Sequence, residues 1–250
     1  IALIPYLRAL GYTVASYDQR GQFESPGPNG SEGYEMDDFV ADALAVAGSL
    51  VAETERPLHL LGHSFGGLVA RATAVRQLGE QMAAASEPLF SSLTLLASGP
   101  AAVPGDLQIV AAQLVSLLPH TSLHEIWEQK ETADRANGWR PPNAEVHEFL
   151  KHRFTSNNPH ALSAKAEILI EIEDAVDVLA GRKHTMIDDV VDSQGSGQHV
   201  VGQEHDLGRL ASADRTIDDA LDRPTDLFEG ISDLIDATFR LRCQCGVEDL

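Results

Sequence analysis

The sequence predicts an α/β fold, a mostly parallel sheet with helices on both faces. Three observations carry that expectation. Short apolar runs occur at residues 12–17 (YTVASY), 58–61 (LHLL) and 92–97 (SLTLLA), lengths that suit buried parallel strands. Between them lie stretches of ten or more residues with helical spacing, as crossovers between parallel strands require. A glycine-rich turn, Gly62-His63-Ser64-Phe65-Gly66-Gly67, joins the second run directly to a helical stretch.

Taken in order, residues 1–10 read as a helix, with Leu3, Ile4, Leu7 and Leu10 on one face and Gly11 as its stop. The run at 12–17 is the first strand. It leads into Asp18-Gln19-Arg20-Gly21 and a loop rich in Gly, Pro and Ser up to Gly33. Met36, Phe39, Val40, Ala43, Leu44, Ala47 and Leu50 give residues 36–51 an amphipathic helix. The apolar run at 58–61 is the second strand, and Leu68, Ala72, Val75 and Leu78 then mark the helix after the turn. Residues 92–97 form the next strand. Beyond Gly99 the pattern turns helical, over 107–118, a shorter piece at 123–127, and 146–154 after Pro141-Pro142. Leu162, Ala166, Leu169, Ile172, Val176 and Leu179 then follow at steps of three and four.

The turn carries the chemistry. Strand, G-x-S-x-G, helix is the context in which a serine becomes the nucleophile at the tip of a sharp, strained bend. Gly62 and Gly66 are expected there because side chains would collide with the crossing strand and helix, and Gly67 because the two elements pack closely. The helix N-terminus and the amide of Phe65 would stabilise an oxyanion over Ser64. A chance glycine-rich turn around a surface serine is the bland alternative.

This stretch resembles the nucleophile elbow of the α/β-hydrolase superfamily. The resemblance implies the α/β-hydrolase fold plus a helical lid insertion, and organises the chain as a hydrolase core over 1–100, a lid over 101–180 and an atypical C-terminal part over 181–250. It gives Asp18 and Arg20 a bracing role beside the active site, against a solvated turn. Trp127, Trp139, Phe149 and Phe154 become candidates for an apolar pocket lining, with plain core as the alternative. The family's H-G type loop, which supplies a second oxyanion amide, has no counterpart here, so the chain reads as truncated at its N-terminus.

Composition excludes several classes. Lys and Arg total 18 against 38 acids, a formal charge of −20, which argues against nucleic acid or an anionic membrane as partner and leaves a small-molecule substrate. No apolar run approaches the roughly 18 residues that span a bilayer, and no secretion signal opens the chain, so the default compartment is the cytoplasm. Cys243 and Cys245 are the only cysteines and read as a free thiol pair. The ten histidines show no metal-ligand spacing, and no metal or cofactor is expected. Oligomeric state stays open.

The sequence changes character near Gly181. Residues 1–160 carry −8, whereas the shorter span 161–250 carries −12 and only Phe228 and Phe239 of the aromatics. Two explanations compete: a divergent C-terminal region with poor strands, or a reading frame lost near residue 181. An amphipathic helix over 227–241 fits either.

A serine needs a base, and the base an orienting carboxylate, in the superfamily order Ser, acid, His. After Ser64, His205 in HVVGQEHDLG is the preferred base; His184 and His199 are weaker choices, and His63 packs or hydrogen-bonds locally. Asp177 lies 28 residues before His205 and is the preferred acid, with Asp188, Asp189 and Asp106 as alternatives. The expected function is a cofactor-independent serine hydrolase acting on a small apolar ester or related acyl substrate. A non-catalytic or incomplete hydrolase-like domain, without a working base and full oxyanion hole, is the second reading.

Overall fold

The computed structural model describes residues 3–54, 58–84, 89–96, 98, 105–136, 138–172 and 184–187. Helix α1 (Ile4–Ala9) ends as its glycine requires. Gly11 takes a φ of +90°, its N–H donates to the Arg8 carbonyl at 3.0 Å, and Tyr12 N–H reaches back to the Leu7 carbonyl at 3.1 Å. That pairing closes a helix through a left-handed residue, which glycine adopts without penalty. None of α1's residues is buried; on the expected apolar face Leu3, Ile4 and Leu7 are partly covered, whereas Leu10 is 75% exposed.

The strand expected at 12–17 does not form. Those residues have no regular structure, and Tyr12 and Tyr17 are half exposed. A parallel strand earns its state from ladder bonds and burial on both faces. Here the segment passes beside the sheet, the Tyr12 ring meeting His59 edge-on at 5.8 Å, without pairing to it.

The sheet itself is parallel, in the order β1 (Leu58–His63), β2 (Phe90–Leu96), β3 (His184–Ile187). Its register sets His63 against Leu96, and Leu96 against Ile187, so the three strands end together at one edge. β2 is the buried member, with Leu93, Leu95 and Leu96 all enclosed. β1 is less covered than its sequence suggests, since Leu61 is 42% exposed.

Helix α2 (Met36–Thr54) packs against α3 (Phe65–Ala84), and α3 packs on β1 and β2 as the crossover between them. Ala70 of α3 meets Leu93 and Leu95 of the sheet. On α3's other flank, Val69 joins Tyr34, Phe39, Ala43 and Ala161 in a second cluster.

The remaining helices are α4 (Gly105–Leu117), α5 (Leu123–Ala136), α6 (Ala144–Thr155) and α7 (Pro159–Glu171). Their starts are capped by the residue types that do it best. Ser122 and Glu125 exchange side-chain-to-backbone bonds at α5, Asn143 accepts from Val146 N–H at α6, and Asn158 accepts from His160 N–H ahead of Pro159. Leu68 of α3 packs into a core built from Leu114, Ile126, Trp127, Phe154, Ala166 and Leu169, which binds α4–α7 to one another and to the turn below. Helix α5 runs nine residues past the short piece expected at 123–127. Its continuation is polar and largely exposed, except that Lys130 and Asp134 are buried together, bonded at 2.6 Å. The periodicity at 162–179 yields a helix that stops at Glu171, and residues 173–180 lie outside the described part.

Candidate active site

The backbone places Ser64. β1 ends at His63 and α3 starts at Phe65, which leaves one residue to turn the chain. Ser64 does so at a φ of +51°, a left-handed conformation that costs a non-glycine residue on the order of 1–3 kcal/mol. Three hydrogen bonds hold it there. Ser64 N–H donates to Leu96 O at 2.9 Å, at the end of β2, while the Ser64 carbonyl accepts from Gly67 N–H at 2.8 Å and Leu68 N–H at 3.3 Å.

The glycines divide the steric work unequally. A Cβ on Gly62 would overlap the Gly66 carbonyl and lie 2.6 Å from the Gly67 Cα; one on Gly67 would strike the Ser98 side chain. Gly66 differs from expectation. A Cβ there meets nothing within 4 Å, because the position borders open space rather than the crossing strand.

That space is a cavity of about 280 Å³. Its floor is His63, Ser64, Phe65 and Gly66; the facing walls come from Trp127 and Lys130 of α5, Leu150, Arg153 and Phe154 of α6, and Leu162, Lys165 and Leu169 of α7. Ser64 is half-buried and lines the chamber. The amides of Phe65 and Gly66 open α3 and so have no intrahelical acceptor, which makes this floor a place where an anion is stabilised.

Tyr17, Asp18, Gln19 and Gln22 form the chamber's side. Arg20 grips Asp42 of α2 with two bonds of 2.7 Å, donates to the Gly33 carbonyl at 2.7 Å, and stands 3.1 Å from Asp38. Asp18 accepts from Arg153 at 2.6 Å, tying the loop to α6. Both residues brace, as the D-x-R-G pattern suggested. Asn158 completes the attachment through Gly21 O and Pro28 O, each at 2.8 Å.

Trp127 and Phe154 are at once core and wall: buried, with rings 5.8 Å apart, and facing the cavity. Phe149 and Trp139 are not among the lining residues. Lys165 is the unanticipated member. It is half-buried between the Phe39 and Phe65 rings, its Nζ 5.4 and 5.6 Å from their centroids. Burial lowers its ammonium to about 8, with Arg153 pushing the same way and Asp18 opposing. A signal was present in the sequence: Lys165 stands three residues after Leu162 and four before Leu169, on the apolar stripe itself.

Ser64 lies on the strand-to-helix turn, and Phe65 opens α3. His205 and Asp177 lie outside the described residues, as do His199, Asp188 and Asp189, and so does the side chain of Asp106. The sheet register does place His184. It pairs with Leu93, level with Leu60 and four residues back from Ser64, about 13 Å along the strand direction and away from the edge that carries the turn. That position does not suit a base for Ser64.

A parallel sheet with helices packed on it, and a serine between strand and helix beneath a chamber, define an α/β protein. The sequence pattern of the alpha/beta hydrolase family matches residues 1–234, and the chain belongs to that family. The match continues through most of the acidic stretch after Gly181. A hydrolase from Pseudomonas aeruginosa PA01, known from its crystal structure, is similar with a TM-score of 0.55 and 23% identity, over 79% of this chain and 70% of that one. That likeness speaks for the fold. None of the curated proteins matches the chain. Among the described residues no helix is long and apolar enough to cross a membrane.

Proposed function

We propose that the chain is a serine hydrolase that acts on a small apolar ester or related acyl substrate through an acyl-enzyme on Ser64. One observation carries this most: a non-glycine residue held at positive φ, on a turn that two flanking glycines make possible, with its side chain on a chamber. Backbone strain of this kind persists where surrounding structure enforces it, and it marks functional sites.

In this reading Ser64 attacks the carbonyl, and the amide of Phe65 at the start of α3 holds the oxyanion. His205 takes the serine proton and returns it to the leaving group, with Asp177 orienting the imidazole. Helices α4–α7 act as the lid over residues 101–180, closing an apolar wall against the acyl chain. The site needs no cofactor.

Loss of an attacking serine removes several powers of ten of rate. Ser64→Ala should therefore end turnover of a p-nitrophenyl ester. Activity retained in that variant refutes Ser64 as the nucleophile, and a folded wild type without turnover leaves the non-catalytic reading.

A further inference from the structure

Charge on the chamber wall does not cancel. Lys130, Arg153 and Lys165 line it, against one carboxylate, Asp18. Lys130 bonds Asp134 at 2.6 Å and Arg153 bonds Asp18 at 2.6 Å. Lys165 has no ion-pair partner among the described residues; ring faces are its neighbours. The ring quadrupole compensates a buried ammonium only in part. A lysine that reaches water keeps its usual pKa near 10.5, and this one is lowered to about 8 by its burial.

One cation of the wall without an ion-pair partner among the described residues fits a ligand group that carries one negative charge. A carboxylate matches that count. A phosphate dianion would leave one charge unmatched.

We propose that Lys165 binds a carboxylate on the acyl part of the substrate, so that the enzyme prefers short esters whose acyl chain ends in an acid. The site rests on Ser64 being the acylated residue. Lys165 stands over the Phe65 ring, next in sequence to that serine, so the bound carboxylate belongs to the portion of substrate under attack. The acyl carbons between the two ends lie along Phe154, Leu162 and Leu169. A cavity of about 280 Å³ holds a chain of this kind and little more.

The test compares p-nitrophenyl butanoate with mono-p-nitrophenyl glutarate. A charge-assisted hydrogen bond corresponds to roughly 10–100-fold in affinity, so wild type should favour the glutarate by that factor in kcat/KM. Lys165→Met should bring the ratio of the two esters close to one, and Lys165→Arg should retain most of the preference; thermal melts confirm that each variant is folded. Both esters hydrolysed by a Ser64-dependent route at the same ratio in all three proteins overturns the carboxylate site and leaves the hydrolase. If neither ester turns over, the hydrolase reading fails, and binding of monomethyl glutarate decides the site alone. About tenfold weaker binding to Lys165→Met supports it; equal or absent binding to both proteins overturns it.

Discussion

The chamber has two sides built by different means. Its floor is a backbone device: Ser64 is aimed by one positive φ, three main-chain hydrogen bonds and two glycines that clear the crossing point. Its roof is a side-chain device, in which helices α5–α7 contribute aromatic and aliphatic walls plus three cations. The turn under the floor tolerates almost no added atom at Gly62 or Gly67, whereas the roof can change its chemistry and still stand. In the proposed function, reaction type belongs to the floor and choice of substrate to the roof.

The largest expected effect falls on the floor. Ser64→Ala should lower kcat by roughly four powers of ten with its fold intact, read from ester turnover beside a melting curve. Next comes Gly62→Ala. Its new methyl would overlap the Gly66 carbonyl and Gly67 Cα, both backbone, so relief requires moving strand against helix. A loss of about 3–5 kcal/mol in denaturant unfolding is expected, at the upper end for a single methyl. Gly66→Ala, two residues past the serine, meets open space and should change stability by less than about 1 kcal/mol. Equal costs at the two glycines would contradict the division of steric work described for this turn.

On the roof the expected sign reverses. Lys165 is a cation held against its preference, so Lys165→Met should stabilise the protein at pH 7 by about 1–3 kcal/mol. The pH dependence follows from linkage. With a folded pKa of about 8 against an ordinary 10.5, the unfolded chain binds more protons between those values. Wild-type stability should thus rise with pH through that window. The advantage of Lys165→Met should shrink accordingly, measured by urea unfolding at pH 7 and pH 10. A variant that loses both stability and substrate preference would make Lys165 a structural strut instead. The smallest effect concerns strain: Ser64→Gly should be more stable than Ser64→Ala by about 1 kcal/mol, since only glycine accepts φ of +51° freely.

Legibility in the sequence follows the same divide. The turn could be read because its constraint is local: strand, glycine, serine and helix are contiguous, and each residue type answers to backbone geometry. Helices α2, α4 and α6 were legible from amphipathic spacing. The run at 12–17 was not, since strand-like composition does not create a neighbour to pair with. α5 was cut short in reading because Lys130 and Asp134 look like a solvated face, whereas they neutralise each other in the interior. Lys165 escaped for the related reason that a cation on an apolar stripe acquires meaning only once the cavity beside it is seen. Gly66 was assigned a steric duty from its place in the motif, and only the geometry shows that duty falling to Gly67.

The most direct measurement uses a fluorophosphonate, which bonds an activated serine and leaves an inert one alone, followed by peptide mass mapping of the adduct. Labelling at Ser64, lost in Ser64→Ala, is the expected result. A folded protein that stays unlabelled, or one modified at another residue, would contradict the assignment of Ser64 as the nucleophile.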